Sequence, residues 1–232
     1  MGILGIDMGG GQDRGAARGA SQGAQVGLRV PLVTGDGRFR LDALVGGRPH
    51  QGTMGELRFQ SDLIAGAPAR GTWVVWGWWG MDLAVLRTPT VWHSLLELPR
   101  AHLGFRSLYN EQGFELGGRL GYTLLGRYNP EGASRSLGHS ITPAIYSLLY
   151  TRSTFLSWDV RAISPLRGQG RPVWTSEGLL CGVQGKFAFC VTGRHFYGQV
   201  RPNDGRSEGL ASSWQLGFLL GLGERIGSSS PN

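Results

Sequence analysis

Apolar and polar residues alternate with a period of two along much of the chain. The clearest runs cover residues 24–32, 39–45, 57–63, 114–124, 156–162 and 214–222. Because successive side chains of a strand point to opposite faces, this period predicts β-strands that each have one apolar face. Turn-forming stretches such as Thr34-Gly35-Asp36-Gly37 separate the runs. The pattern therefore predicts an all-β fold of about ten to twelve strands.

The two ends of the chain differ from this pattern in composition. Residues 1–23 are rich in Gly, and their only apolar stretch, Ile3-Leu4-Gly5-Ile6, is shorter than the roughly 7–15 residues of a secretory signal peptide. We expect a flexible Gly-rich leader at 1–23, one β-domain at 24–222 and a flexible C-terminal tail at 223–232. Within the domain, residues 91–98 fit a strand or a short helix.

The two faces of the predicted strands differ sharply in charge. The apolar faces of the six clearest runs carry no charged residue, whereas the opposite faces combine both signs of charge with many of the 40 glycines. The charged residues on those opposite faces are Arg29, Arg38, Arg40, Asp42, Glu56, Arg58, Asp62, Glu115, Arg119, Asp159 and Arg161.

This pattern fits two arrangements, which differ in what contacts the apolar face. In a soluble β-barrel or sandwich, the apolar face forms the core and could enclose a small apolar ligand. In a transmembrane barrel, the apolar face contacts lipid and the charged face lines the interior. Predicted strands of about 9–14 residues, with aromatic residues near their ends, favour the second arrangement. The lipid-facing side chains would include Leu28, Leu41, Phe59, Leu120, Trp158 and Phe218.

The last run contains the most specific motif. Gln215, Gly217, Leu220 and Leu222 have the spacing of a C-terminal insertion signal, and the chain resembles bacterial outer-membrane β-barrel proteins over residues 24–222. The resemblance implies an antiparallel up-and-down transmembrane β-barrel in the bacterial outer membrane. It also implies the lipid bilayer and the outer-membrane insertion machinery as partners, with loops available to other envelope proteins.

The two cysteines flank a candidate hairpin. If Gly185-Lys186 is a two-residue turn, Cys181 and Cys190 become direct cross-strand partners in a non-hydrogen-bonded pair. Such a pair brings the Cα atoms within disulfide range. The cysteines are thus either a disulfide, which indicates an oxidising compartment, or two small apolar residues packed side by side.

The sequence offers no motif for catalysis, a metal or a cofactor. The adjacent His93-Ser94 and His139-Ser140 pairs would point to opposite faces of a strand, which separates base from nucleophile. The net charge is +7, but the 22 Arg and the single Lys are scattered, so we expect no nucleic-acid partner.

The inward arginines remain the most suggestive chemistry. They either attract anions into the lumen or pair with the carboxylates in a ladder that fills a narrow barrel. Trp76 and Trp78 are expected to point inward and narrow the lumen further. The sequence thus predicts a non-enzymatic outer-membrane barrel that is a structural envelope component or a narrow pore for small solutes, anions among them.

Overall fold

The computed structural model describes most of the chain as strands. It covers residues 2–13, 21–33, 37–48, 52–65, 70–87, 92–110, 112–129, 134–167, 172–185, 187–200 and 209–222. None of these residues forms a helix long and apolar enough to cross a membrane. The strands are β1 (Gly2–Asp13), β2 (Ser21–Val33), β3 (Gly37–Arg48), β4 (Gly52–Leu63), β5 (Gly71–Gly77), β6 (Gly80–Arg87), β7 (Trp92–Tyr109), β8 (Gln112–Asn129), β9 (Ser134–Tyr150), β10 (Thr154–Pro165), β11 (Val173–Gln184), β12 (Phe187–Val200) and β13 (Gly209–Leu222).

The strands form one closed antiparallel ring. Apart from β5, strands that follow one another along the chain pair with each other, and the first strand, β1, also pairs with the last, β13. β5 and β6 pair with successive parts of β7, so they share one position in the ring. The thirteen described strands therefore occupy twelve positions. An up-and-down barrel of ten to twelve strands is confirmed.

The outside of the ring is apolar. Leu41, Phe59, Leu120, Trp158 and Phe218 have exposed fractions between 36% and 64%, as expected of side chains that contact lipid. The side chain of the sixth expected residue, Leu28, lies outside the described residues. Exposed aromatic side chains occur near both ends of the barrel, as an interfacial belt requires. Examples are Tyr109 and Phe187 at one end and Tyr128 and Tyr197 at the other.

The inside of the ring is charged. Asp42, Asp82 and Glu115 are fully buried, and Arg58, Arg100 and Arg106 are exposed by 4% or less. A soluble barrel or sandwich would have the reverse distribution, with its apolar side chains inside. The alternative of a soluble protein that binds an apolar ligand in an apolar interior is therefore wrong.

The connections between strands distinguish the two mouths of the barrel. At the mouth where residues 2 and 222 lie, four of the five connections are short (34–36, 110–111, 151–153 and 185–186). At the other mouth, three of the six connections are longer (14–20, 166–172 and 201–208). Outer-membrane barrels have short periplasmic turns and longer extracellular loops, so we name the first the periplasmic mouth and the second the external mouth.

The first strand corrects the expected leader. Residues 2–13 were expected to be flexible, but they form β1, while residues 14–20 and 223–232 lie outside the described residues. Closure of the ring gives the physical reason, because an unpaired β13 would expose a row of backbone donors and acceptors to lipid. The alternation of Leu4, Ile6 and Met8 with Gly5 and Asp7 is the signal for this strand.

Two irregularities change which residues face inward. β7 has a register shift between Glu97 and Arg100, and Trp78-Trp79 interrupts the position that β5 and β6 share. Trp76 and Trp78 were expected to point inward, but they are 41% and 75% exposed. The neighbouring Val75 is fully buried, so the inward face of β5 carries the odd-numbered residues.

Candidate functional site

The structure places ten of the eleven predicted lumen residues inside the barrel. None of the ten side chains is more than 20% exposed. These ten are Arg38, Arg40, Asp42, Glu56, Arg58, Asp62, Glu115, Arg119, Asp159 and Arg161. The backbone of Arg29 pairs in register with Asp42, but its side chain lies outside the described residues.

Six further charged residues of the lumen escaped the sequence analysis. They lie on β6, β7, β11 and β12, where the alternation is less regular. The six residues are Asp82, Glu97, Arg100, Arg106, Glu177 and Arg194. Among the described residues, the lumen thus holds eight arginines and eight carboxylates.

Asp82 is a fully buried centre of this network. Its carboxylate accepts two hydrogen bonds from Arg58, at 2.9 and 2.6 Å, and another from Arg161 at 2.9 Å. The Gln60 amide donates a fourth at 3.2 Å. A carboxylate with no exposed surface stays ionised only when it is paired in this way.

Glu177 joins the two sides of the lumen. It lies on β11, and its carboxylate contacts Arg40 of β3 at 2.6 Å and Arg58 of β4 at 3.0 Å. In a ring of twelve positions, β4 and β11 stand opposite each other. Arg194 of β12 contacts the same Glu177 at 3.1 Å and reaches across to Glu56 of β4 at 2.8 Å. Side chains from opposite walls therefore meet in the middle of the barrel.

A second cluster surrounds Tyr146 nearer the periplasmic mouth. The Tyr146 hydroxyl donates to Glu115 at 2.8 Å, and Glu115 also pairs with Arg38 and, at 2.8 Å, with Arg106. Two glycines on neighbouring strands make room for the tyrosine. A Cβ at Gly104 or Gly117 would lie 2.5 or 2.6 Å from its hydroxyl oxygen. The missing side chains of these glycines therefore leave the space that Tyr146 occupies in the crowded lumen.

A cavity of about 120 Å³ lies between the two walls of the lumen. Arg38, Arg40 and Asp62 line it from β3 and β4, and Arg119, Asp159, Arg161 and Glu177 line it from β8, β10 and β11. An apolar patch of Leu148, Phe155 and Leu179 completes its wall. The cavity therefore has a charged side and an apolar side.

The two cysteines form a disulfide inside the barrel. Cys181 and Cys190 are direct partners on β11 and β12, with a Cα–Cα distance of 4.0 Å. The hairpin turn follows Gln184, whose partner is Phe187, and Gly185 takes a φ of 63° that favours glycine. The disulfide is almost fully buried against the apolar patch, close to the periplasmic mouth.

The insertion motif lies on the strand that closes the ring. Gln215, Gly217, Leu220 and Leu222 all belong to β13, which pairs with both β12 and β1. Leu220 is 53% exposed on the outside, and Gly217 is buried. The side chains of Gln215 and Leu222 lie outside the described residues.

The histidines do not form a catalytic arrangement with serine in the part of the chain that is described. His139 is exposed and hydrogen-bonded to the Tyr122 hydroxyl, whereas the adjacent Ser140 is buried. His102 is buried beside Tyr146, with ring centroids 6.5 Å apart. Across the same described ranges, no group of side chains is arranged to hold a metal ion.

Comparisons with known proteins give structural neighbours only. No protein-family model matches the sequence, and no curated protein matches it. The chain is similar to a KdgM porin in complex with disordered oligogalacturonate, with 11% identity, a TM-score of 0.44 and coverage of 96% of this chain and 100% of that chain. It is also similar to the toluene transporter TodX of P. putida, with 9% identity, a TM-score of 0.32 and coverage of 94% and 88%. OpdL of Pseudomonas aeruginosa has 10% identity, a TM-score of 0.32 and coverage of 94% and 97%. With its closed antiparallel ring, apolar exterior and ion-paired interior, the chain has the fold of outer-membrane β-barrel proteins.

Proposed function

We propose that this barrel is a narrow outer-membrane pore for small polar solutes, held shut at its middle by ion pairs between opposite walls. The observation that carries the proposal is the position of Glu177, which contacts Arg40 and Arg58 across the lumen and Arg194 beside it. A solute that crosses the barrel must separate these pairs. The network is therefore the constriction of the pore.

The cavity in the lumen supports a hydrated lumen over a dry plug. Four arginines and three carboxylates line it, and its volume is about 120 Å³. Polar space of this size is normally occupied by water. A barrel built only to be closed would gain more from apolar side chains of similar volume than from buried charges.

The balance of charge supports a pore with weak charge preference. The described lumen holds eight arginines and eight carboxylates, so its described side chains carry no net charge. We therefore propose that small solutes of either sign pass when the network opens. A strong preference for anions would require a surplus of arginine.

Single-channel recording in planar bilayers tests the proposal. We expect small or brief openings for the wild-type barrel. In the Glu177→Gln variant three arginines lose a shared negative partner, so we expect larger or longer openings that prefer anions. Ser176→Ala on the same strand is the control, because the Ser176 hydroxyl accepts a hydrogen bond from the Trp158 indole on the exposed face and takes no part in the ion pairs.

Heat-modifiable gel migration shows whether each variant is folded before it is recorded. If the folded wild-type and Glu177→Gln proteins both fail to conduct, the pore proposal is overturned and a structural envelope role remains. If Ser176→Ala opens the barrel as Glu177→Gln does, the ion-pair constriction is overturned.

A further inference from the structure

We infer that the Arg40–Glu177 ion pair and the apolar patch beside it bind a small zwitterion with an apolar side chain. The inference rests on the proposed pore function, since it names the class of solute that the pore admits at its constriction. The cavity is lined by both charged residues and by the apolar patch of Leu148, Phe155 and Leu179. A solute in the cavity therefore reaches both charges of the pair and the patch at once.

This ion pair is partly accessible from the lumen. The side chains of Arg40 and Glu177 are 19% and 11% exposed, and their charged atoms lie 2.6 Å apart. Arg194, which contacts the same Glu177 at 3.1 Å, is 26% exposed. The Arg58–Asp82 pair, by contrast, is exposed by 5% and 0%. A solute can therefore compete for the charges at Glu177, whereas the Arg58–Asp82 pair is closed to it.

Separation of the Arg40–Glu177 pair removes a contact between opposite charges. A single anion restores the contact to Arg40 only, and a single cation restores the contact to Glu177 only. A zwitterion restores both, because its carboxylate pairs with the guanidinium while its ammonium group pairs with the carboxylate. It also adds no net charge to a lumen whose described side chains comprise eight arginines and eight carboxylates. A single ion would add an uncompensated charge to that balance.

The apolar patch sets the rest of the solute. Leu179 follows Glu177 by two positions on β11, so the two side chains share the inward face and lie roughly 7 Å apart along the strand. A short unbranched hydrocarbon chain spans this distance and gains free energy when it covers the patch. Norleucine, an α-amino acid with an unbranched butyl side chain, carries both charges and the chain in this arrangement.

Calorimetric titration of the folded protein in detergent at neutral pH, with norleucine as the probe, tests the inference. We expect norleucine to bind roughly tenfold more tightly than hexanoate, which lacks the ammonium group, or pentylamine, which lacks the carboxylate. Glycine has both charges but no side chain to cover the apolar patch, so it should bind roughly fivefold more weakly than norleucine.

Glu177→Gln should reverse the preference between norleucine and hexanoate. The ammonium group of norleucine loses its partner, and three arginines lose a shared negative charge. We therefore expect roughly tenfold weaker binding of norleucine and tighter binding of hexanoate. A variant that only loosened the barrel would weaken both ligands. Ser176→Ala, on the outward face of the same strand, is the matched control and should bind both ligands as the wild type does.

Leu179→Ala provides a second test if Glu177→Gln does not fold. It removes part of the apolar patch but neither charge, so the affinity for norleucine should approach that for glycine. Hexanoate or pentylamine binding as tight as that of norleucine overturns the inference and leaves the pore proposal standing. The same holds for an unchanged preference of norleucine over hexanoate in folded Glu177→Gln, or over glycine in Leu179→Ala. Norleucine binding of the expected strength by a wild-type barrel that does not conduct would overturn only the proposed pore.

Discussion

At the scale of single residues, glycine decides where large side chains fit inside the barrel. Gly104 and Gly117 lie beside the Tyr146 hydroxyl, and Gly121 lies beside the Glu97 carboxylate, where a Cβ would overlap Oε1. Such contacts are too short for any Cβ atom, so each side chain depends on the missing methyl group of its neighbour. Glycine on the inward face is therefore a packing requirement.

We predict that Gly117→Ala destabilises the folded barrel by about 1–3 kcal/mol, because its Cβ forces Tyr146 away from Glu115. The neighbouring Gly118→Ala is the control, since its Cβ would make only an ordinary contact of 3.7 Å with the Ala144 carbonyl oxygen. We expect the control to change stability by less than about 0.5 kcal/mol. Urea unfolding in vesicles, followed by tryptophan fluorescence, measures both. Equal unfolding midpoints for the two variants would contradict the packing role.

At the scale of strands, the period of two identified the regular elements and missed those with irregular register. On β3, β4 and β8 the alternation correctly separates an inward Arg40, Arg58 or Arg119 from its outward neighbours. On β7 a residue is added between Glu97 and Arg100, so both point inward although they are three positions apart. If the period of two is continued past this bulge, either Glu97 or Arg100 is assigned to the lipid-facing side of the strand.

The ion-pair partners could not be predicted from the sequence at all. Asp82 and Arg161 are 79 positions apart, and Glu177 and Arg40 are 137 positions apart. The alternation gives the face of a side chain but not its height in the barrel or the strand opposite. Those depend on the closure of the ring and on the register of all its strands. Only the pairing of Cys181 with Cys190 could be anticipated from the sequence, because a short hairpin fixes its register locally.

We predict that the double variant Cys181→Ala/Cys190→Ala unfolds more easily by about 2–3 kcal/mol, because the disulfide restrains the unfolded hairpin. Urea unfolding under non-reducing conditions measures the difference. Wild-type protein that is unfolded and reduced should refold to the same stability as the variant. The folded wild type should resist reductant, because both cysteines are at most 3% exposed. An unchanged unfolding midpoint in the double variant would contradict this role.

At the scale of the whole molecule, the barrel places its charges where they can neutralise one another. Each described arginine of the lumen lies within 4.0 Å of a carboxylate oxygen. Buried charges are expensive to desolvate, so their pairs stabilise the barrel little in total, but the loss of one partner leaves an uncompensated charge. The network therefore makes the inward face of each strand strongly specific, while the lipid accepts any apolar side chain on the outward face.

We predict that exchange of Arg119 and Leu120 prevents the chain from folding in vesicles, although the composition stays the same. The exchange takes an arginine away from Asp159 and Asp62 and turns it toward lipid, in place of a leucine that is 56% exposed. An arginine near the middle of the bilayer costs about 2–4 kcal/mol, and the unpaired carboxylates in the lumen add to that cost.

Exchange of Val191 and Thr192 is the control, because it reverses the same alternation without moving a charge. Heat-modifiable migration after refolding into vesicles should show a folded band for the control and none for the exchanged Arg119 and Leu120. A folded band of wild-type intensity for that variant would show that lipid and lumen do not lie on the faces assigned to them.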